Sequence, residues 1–292
     1  MSRRFFLLAS SLMVLMTEAA SRGAWAQSHS SPLPAPEARR NFLACPIVQD
    51  TPTVPCWLAE YHGELYFLGI QTDSAGWSPP YLGHRVLVEG ALAGGPRICG
   101  GIPLTSKYPA SPIPSGKANG RPLPNPPVVS VMRELDSSCN ELRAADPQFQ
   151  IEGRRGPGPN VPSAGFGPST AAPLDLKPPF ASRTFTLTYE FDSEFAARTI
   201  GEALRAVQYA QAAGAKRMTI IGYRGATLLS DGRVLREIEP IGRLRAEELG
   251  AAIRKIGVPA STELSVRWES EARKPDGVTD PERRRAEILV QP

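Results

Sequence analysis

The feature that most restricts the fold of this chain is a segment of high proline and glycine density at residues 141–182. It contains the run GRRGPGPNVPSAGFGPSTAAPLDLKPPF, which cannot form a packed core. We interpret the segment as a linker between two regions of different character, at 45–140 and 183–292. A chain of 292 residues has room for about two domains of roughly 150 residues each.

The N-terminus has the pattern of an export signal. Ser2-Arg3-Arg4 precedes a short apolar run, and Ala24-Trp25-Ala26 resembles a cleavage site. We predict a signal peptide at residues 1–26, a flexible leader at 27–44 and a periplasmic location. The paired arginines leave both the Sec and the twin-arginine export routes open. No later stretch is apolar over the ~20 residues that a membrane span requires, so no span is expected.

The cysteines fit an oxidising compartment. All four lie in the first half of the chain: Cys45, Cys56, Cys99 and Cys139. An even number indicates two disulfides, for which three pairings exist. Short loops close most easily, and this favours Cys45–Cys56 together with Cys99–Cys139. There is no C-x-x-C motif and there are only three histidines, so we predict neither a metal nor a cofactor.

Residues 45–140 are predicted to form a small all-β domain. CWLAEYHGELYFLGI has the pattern of a hairpin around His62-Gly63, and GHRVLVEGALAG, RICGGIPL and PVVSVMREL supply further strands. This order resembles the OB-like domains of exported bacterial proteins, and OB-folds often bind oligonucleotides or oligosaccharides on one face. Strand spacing favours the core, rather than such a face, for four aromatic residues: Trp57, Tyr61, Tyr66 and Trp77.

Residues 183–292 predict the order β-α-β-α-β-β, which places the whole chain in the α+β class. Strand patterns occur in TFTLTYEF, MTIIGY, ELSVRWES and AEILVQ. Two helices are predicted at 194–213 and 240–256, because apolar residues recur at helical spacing and Gly214 and Gly257 follow the last turns.

The C-terminal region resembles the OmpA-like, peptidoglycan-associating domain family. The matching pieces are YEFDS, IIGY, RLRAEELGAAIRKIGV and RRRAEILV, in the order and spacing of that family. In the family, an aspartate after the second strand and an arginine on the second helix hold the diaminopimelate of the peptidoglycan stem peptide. The resemblance implies that Arg245, in the pair Arg245-Ala246, faces a pocket for this group.

The chain departs from the family at the other half of that site. Tyr223 ends the second strand, but Arg224 and Gly225 stand where the family has its aspartate, and the crossover to the second helix is unusually long. An amino-acid head group needs an acid for its ammonium and a forked guanidinium for its carboxylate. Loss of one charged partner costs on the order of 2–5 kcal/mol of binding.

Two compensations are open. A carboxylate of the crossover, from Asp231, Glu237 or Glu239, is a candidate replacement for the acid. Alternatively, Arg224 and Arg245 form a two-pronged site for a purely anionic ligand. The candidate ligand-binding residues are Arg245, Tyr223, Arg224 and Asp231. The run Arg283–Arg285 is interpreted as a solvated entry to the last strand.

Two functions follow from these patterns. The first is a cell-envelope, outer-membrane-associated protein that binds peptidoglycan non-covalently. The alternative is a degenerate OmpA-like scaffold for protein–protein contact in the periplasm, joined to an OB-like ligand-binding domain. No catalytic motif is present, so an enzyme is not predicted. The net charge of +4, with mixed signs along the chain, gives no nucleic-acid footprint.

Overall fold

The computed structural model describes residues 39–70, 80–106, 117–118, 121–144, 151–152, 174, 176–196 and 201–292. The fold is mixed α+β, with an N-terminal β region and a C-terminal β/α region, as the sequence predicts at this level. The signal segment 1–26 and residues 153–173 of the predicted linker lie outside the described residues.

The N-terminal region consists of strands. In chain order they are β1 (Arg39–Ala44), β2 (Pro46–Gln49), β3 (Cys56–Tyr61), β4 (Glu64–Ile70), β5 (His84–Leu92), β6 (Ile102–Thr105), β7 (Lys117–Ala118), β8 (Arg121–Pro122), β9 (Val128–Leu135), β10 (Glu141–Arg143) and β11 (Ile151–Glu152). The short strands β11, β7 and β8 form a separate small sheet.

The main N-terminal sheet begins and ends on one bent strand. Only Cys45 separates β1 from β2, yet β1 pairs with β5 whereas β2 pairs with β3. The order β1-β5-β6-β4-β3-β2 therefore returns to its starting strand, with β10 beyond β2 and β9 beside β5. Within this sheet, the pairs β4–β6 and β2–β10 are parallel and the others are antiparallel. The result is a closed ring of strands.

The predicted hairpin at β3 and β4 is confirmed. Its two turn residues have positive φ, 53° at His62 and 74° at Gly63. Positive φ at both central positions defines the type I′ turn, whose twist matches that of the flanking strands.

Side-chain alternation along the ring produces three apolar clusters. Phe42 and Val88 belong to the cluster inside the ring. Leu58 belongs to a second cluster, on the outer face of β3 and β4. Leu87, on the outer face of β5, packs with Phe191 of the C-terminal region in a third. Both faces of these strands are therefore covered, and the third cluster joins the two regions.

The disulfides are Cys45–Cys139 and Cys56–Cys99, so the local pairing favoured from the sequence was wrong. Each doubling of loop length costs only about 0.6 kcal/mol of closure entropy, and strand geometry outweighs this preference. Cys45 lies at the bend between β1 and β2, where its Cα is 4.7 Å from that of Cys139, two residues before β10. The strand pairing β2–β10 brings these two cysteines together.

The C-terminal region is a four-stranded sheet with its two long helices on one face. Its elements are β12 (Arg183–Thr188), α1 (Gly201–Ala213), β13 (Arg217–Tyr223), β14 (Ala226–Leu228), β15 (Val234–Arg236), α2 (Ile241–Ile256), β16 (Glu263–Glu269), α3 (Asp280–Arg283) and β17 (Arg285–Gln291). The strand order is β12-β17-β13-β16, and β14 pairs only with β15. The structure therefore contains the six predicted elements, together with a hairpin in the long crossover and a short helix.

Glycines allow α2 to lie close against β13. A Cβ atom at Gly222 would overlap the carbonyl oxygen of Gly242 and would lie 3.0 Å from the Cβ of Ala246. A larger residue at either glycine would push the helix away from the sheet. Because the helix lies so close to β13, the buried side chain of Arg245 on this helix is also held close to the sheet.

The two regions meet more extensively than the sequence boundaries suggest. β1 begins at Arg39, inside the predicted leader, and β10 lies in the first residues of the predicted linker. All the described residues belong to one compact unit.

Candidate functional site

Arg245 is enclosed by the backbone of the surrounding loops. Its side chain is fully buried, and its guanidinium donates to the carbonyl oxygens of Ser193 (2.8 Å), Tyr223 (2.9 Å) and Glu190 (3.1 Å). The ring of Tyr189 lies 4.8 Å from the guanidinium carbon. An arginine facing an open pocket, as the family resemblance implies, is therefore not what this fold contains.

A carboxylate of the chain itself occupies the remaining side of this arginine. Glu237 accepts from Nη1 of Arg245 at 2.8 Å and from Nη2 at 2.5 Å, and both side chains are fully buried. The same carboxylate accepts from the backbone N–H groups of Asp192 (2.9 Å) and Gly225 (2.6 Å). Four hydrogen bonds, two of them from the forked ion pair with Arg245, satisfy the Glu237 oxygens, which is the condition for burying a charge at tolerable cost.

Asp192 holds the segment that carries Glu237. Its φ is 55°, and its carboxylate accepts a 2.7 Å hydrogen bond from the N–H of Ile238. Burial raises the pKa of the Asp192 carboxyl, because desolvation outweighs that hydrogen bond. The carbonyl oxygen of Asp192 accepts from Nε of Arg133 at 2.9 Å, which ties this loop to β9 of the ring.

The backbone carbonyl oxygen of Tyr223 accepts a hydrogen bond from Arg245, whereas the Tyr223 side chain contacts other residues. Its hydroxyl donates to Glu287 at 2.9 Å, and the guanidinium carbons of Arg273 and Arg285 lie 5.0 Å and 4.8 Å from its ring centroid. Burial, followed by the hydrogen bond to Glu287, raises the pKa of Tyr223 to about 12. Both effects favour the neutral phenol over the phenolate.

Arg224 and Asp231 do not join Arg245. Arg224 donates through Nε to the carbonyl oxygen of Glu237 at 2.7 Å, and so supports the backbone of the residue that occupies the site. Asp231 is exposed in the turn between β14 and β15, where it accepts from the backbone N–H (3.0 Å) and Nε (2.8 Å) of Arg233. Of the three candidate crossover acids, only Glu237 reaches Arg245. A ligand-binding role for the predicted residues stays a prediction, and it would require Glu237 to move.

The long crossover is used for docking between the two regions. Its hairpin β14–β15 meets β1, where the N–H of Ser230 donates to the carbonyl oxygen of Asn41 at 2.8 Å. The N–H of Asn41 donates to Oγ of Ser230 at 2.9 Å, and its side-chain amide donates to the carbonyl oxygens of Leu228 (3.1 Å) and Gly277 (2.9 Å). The extra crossover residues therefore bind the ring.

A second buried ion pair, which was not predicted from the sequence, lies between the regions. Arg284 is fully buried, and it donates to the two carboxylate oxygens of Glu89 at 3.0 and 2.5 Å and to the hydroxyl of Thr227 at 3.0 Å. The sequence predicted that the run Arg283–Arg285 is solvated where the last strand begins. This prediction was wrong for Arg284, which is buried. The signal was present, because Arg284 continues the inward period of Ala286 in β17.

The aromatic residues of the ring contribute to its core. Trp57 and Tyr66 are buried, and the ring of Tyr61 stacks on that of Phe42 with centroids 4.6 Å apart. This confirms the core interpretation for these aromatics, while Trp77 lies outside the described residues.

The outer face of β3 and β4 is covered as well. Leu58 and Phe67 pack there against Ile98, Cys99 and other buried apolar residues. The Cys56–Cys99 disulfide fastens this covering loop to β3. OB-folds bind their ligands on the face of the corresponding strands. In this protein, residues of the loop that contains Ile98 and Cys99 cover that face.

Among the described residues, one group of three histidine, cysteine or acidic side chains lies close enough together to hold a metal ion. The group consists of Cys45, Asp136 and Cys139. Both of its sulfurs are joined in a disulfide, so neither is a thiolate ligand.

The described helices and the comparisons add three findings. No helix among the described residues has the length and apolar character needed to cross a membrane. The two disulfides indicate an oxidising, non-cytoplasmic compartment. No protein-family model matches this chain, and no curated protein matches it as a relative.

Proposed function

We propose that this protein is an exported cell-envelope scaffold for protein–protein contact, in which an OB-like ring and a divergent OmpA-like domain are fixed together. The observation that carries the proposal is the pairing of Arg245 with Glu237. Where the OmpA-like family holds the head group of a ligand, this chain presents its own carboxylate.

The energetics favour a permanently filled site. Removing one partner of a buried, hydrogen-bonded pair costs about 3–5 kcal/mol, because the other charge is left without compensation. A peptidoglycan head group would have to displace Glu237 and replace its bonds to two backbone N–H groups. It would also find Arg224, a cation, where the family has the acid that binds its ammonium.

The ring supports the same proposal. The return of the strand path to a bent first strand agrees with an OB-like topology. The outer face of β3 and β4, which would carry an OB-like ligand, is covered by the loop that Cys99 fastens. Both ligand sites that the resemblances suggest are therefore filled from within, and the exposed surface is left for partners.

The compartment is part of the proposal. Two disulfides require an oxidising environment, and the N-terminal pattern is that of an export signal. Together they support a periplasmic location.

Sedimentation with isolated sacculi tests the proposal against peptidoglycan binding. The chain from residue 27 onward is mixed with sacculi at low salt and centrifuged, beside a family member that has both the aspartate and the arginine. We expect this protein in the supernatant and the family member in the pellet. If this protein sediments, and free diaminopimelate releases it, the scaffold proposal is overturned and peptidoglycan binding replaces it.

Crosslinking in intact cells provides the positive test. A lysine-reactive crosslinker is applied to the envelope, and the adducts are compared before and after muramidase digestion. Discrete protein adducts that survive digestion are expected for a protein scaffold. Adducts that disappear on digestion would place the protein on the cell wall instead.

A further inference from the structure

An open groove lies beside the junction of the two regions, on the outer face of the ring. It has a volume of about 430 Å³ and is formed by β1, β5, β9 and the residues after β9. The side chains that line it are Leu43, Arg85, Met132, Glu134, Leu135, Asp136 and Ser137.

The groove continues the interface that joins the two regions. Leu43 and Met132 line the groove, and both also pack against the buried cluster of Leu87, Phe191 and Leu229. The C-terminal region therefore covers one part of this outer face, while the adjoining part stays open. The apolar contacts of the junction therefore continue into the groove through Leu43 and Met132.

The groove has an exposed leucine, Leu135, with charged side chains around it. Leu135 is 81% exposed and is one of the side chains that line the groove. Arg85, Glu134 and Asp136 line the same groove, so that charges of both signs lie together. The charge of Arg85 acts on the neighbouring Asp136 carboxyl, but neither Arg85 nor Glu134 forms an ion pair within 4.0 Å of another described residue.

We propose that a second copy of this chain docks on this groove through a two-fold axis. A two-fold interface brings one patch against itself, so the patch must carry its own complement. This groove does, because Arg85 of one copy can face Glu134 of the other while the two Leu135 side chains meet. The inference does not depend on the proposed function, since a peptidoglycan-binding protein with this groove would pair in the same way.

The size of the groove sets the expected strength. Stable complexes bury roughly 800 Å² and about 20–30 residues on each partner, whereas seven residues line the groove. We therefore expect a dissociation constant on the order of micromolar. Sedimentation equilibrium of the chain from residue 27 onward, over concentrations around that value, measures it.

The decisive variant is Leu135→Asp, with Leu142→Asp as its matched control. Leu142 is a leucine of similar exposure, 70%, but it lies on β10 and does not line the groove. An aspartate at Leu135 should raise the dissociation constant at least about tenfold, since it introduces an unpaired charge at the contact. Both leucines are exposed, so neither change should affect folding, and circular dichroism checks this.

Charge reversal tests the pairing itself. Arg85→Glu and Glu134→Arg should each weaken the dimer, and the double variant should restore it, because the complementary pair is re-formed with its signs exchanged. A wild-type chain that stays monomeric up to about a hundred times the expected constant overturns the proposal. So does a dimer that Leu142→Asp disrupts and Leu135→Asp leaves intact.

Discussion

A Cβ atom at Gly225 would lie 2.5 Å from Cγ of Arg284, which shows how closely the backbone passes the buried ion pair between the regions. The same atom would lie 3.0 Å from Oε2 of Glu237. Gly225 thus separates the two buried pairs, Arg284–Glu89 and Arg245–Glu237, and only a residue without a side chain fits between them.

Replacement of Gly225 by alanine should strain both pairs at once. Overpacking of this kind costs typically about 1–3 kcal/mol, and we expect a loss near the upper end in urea denaturation. Gly232→Ala is the control, because a Cβ atom there meets nothing within 4 Å and only its φ of +85° is unfavourable. Equal losses for the two variants would contradict the steric argument.

Removal of the Glu237 charge should destabilise the fold strongly. In Glu237→Gln the guanidinium of Arg245 stays buried without a counter-charge, and we expect a loss of about 3–5 kcal/mol in the free energy of unfolding. Glu239→Gln changes an exposed neighbour of the same type and should have little effect.

A double replacement refines that test. Glu237→Met with Arg245→Met removes both charges, so its loss should be smaller than the sum of the two single losses. Additive losses would show that the two side chains act independently.

The Arg284–Glu89 pair should stabilise the fold more than an exposed pair does. A double-mutant cycle with Arg284→Met and Glu89→Met should give a coupling of at least about 1–3 kcal/mol. The exposed pair Arg217–Glu263, in which both side chains are at least half exposed, should give less than about 1 kcal/mol. Similar coupling energies for the two pairs would show that burial between the regions has no special effect.

Stability should fall at alkaline pH through Tyr223. The folded pKa of about 12 lies above the reference value of 10.0, so the folded state keeps the proton that the unfolded state releases. Stability from this group is full below pH 10 and declines as the pH rises toward about 12. Urea denaturation over this range should show a shallower decline for Tyr223→Phe than for the wild type. Tyr81→Phe, at an exposed position, should retain the wild-type slope.

Removal of the Cys56–Cys99 disulfide should uncover the outer face of β3 and β4. Replacing both cysteines with serine should cost about 2–5 kcal/mol and should increase the binding of a hydrophobic dye, because Leu58 and Phe67 lose their cover. The Cys45–Cys139 double replacement provides the comparison. It should lower stability without the same rise in dye binding, since those cysteines lie outside that cluster.

Local patterns predicted the elements, whereas contacts distant in sequence decided the site. Alternation identified β12 and β17, and helical spacing identified α2. The ion pair of Arg245 with Glu237 could not be predicted from such local patterns. Glu237 reaches Arg245 because the crossover folds as a hairpin, and the hairpin is held by Asn41 in a strand of the ring. No local pattern in the crossover encodes that contact.

The pairing of charges and of cysteines was hidden for the same reason. Arg284 looked like one of three solvated arginines because its partner, Glu89, lies 195 residues earlier. Cys45 and Cys139 are 94 residues apart, and they meet only when the first strand bends and β10 pairs with its second half. Loop length alone could not anticipate this arrangement.

The sequence separation of Glu89 and Arg284 determines when their buried ion pair can form. The ring places the Glu89 carboxylate on a face that becomes buried, but its guanidinium arrives only with residue 284. Because a chain is synthesised from its N-terminus, the strand that carries Glu89 is made before Arg284 is added. The ring therefore lacks this buried ion pair until the last strand is present, and only the complete chain can close the junction between the regions.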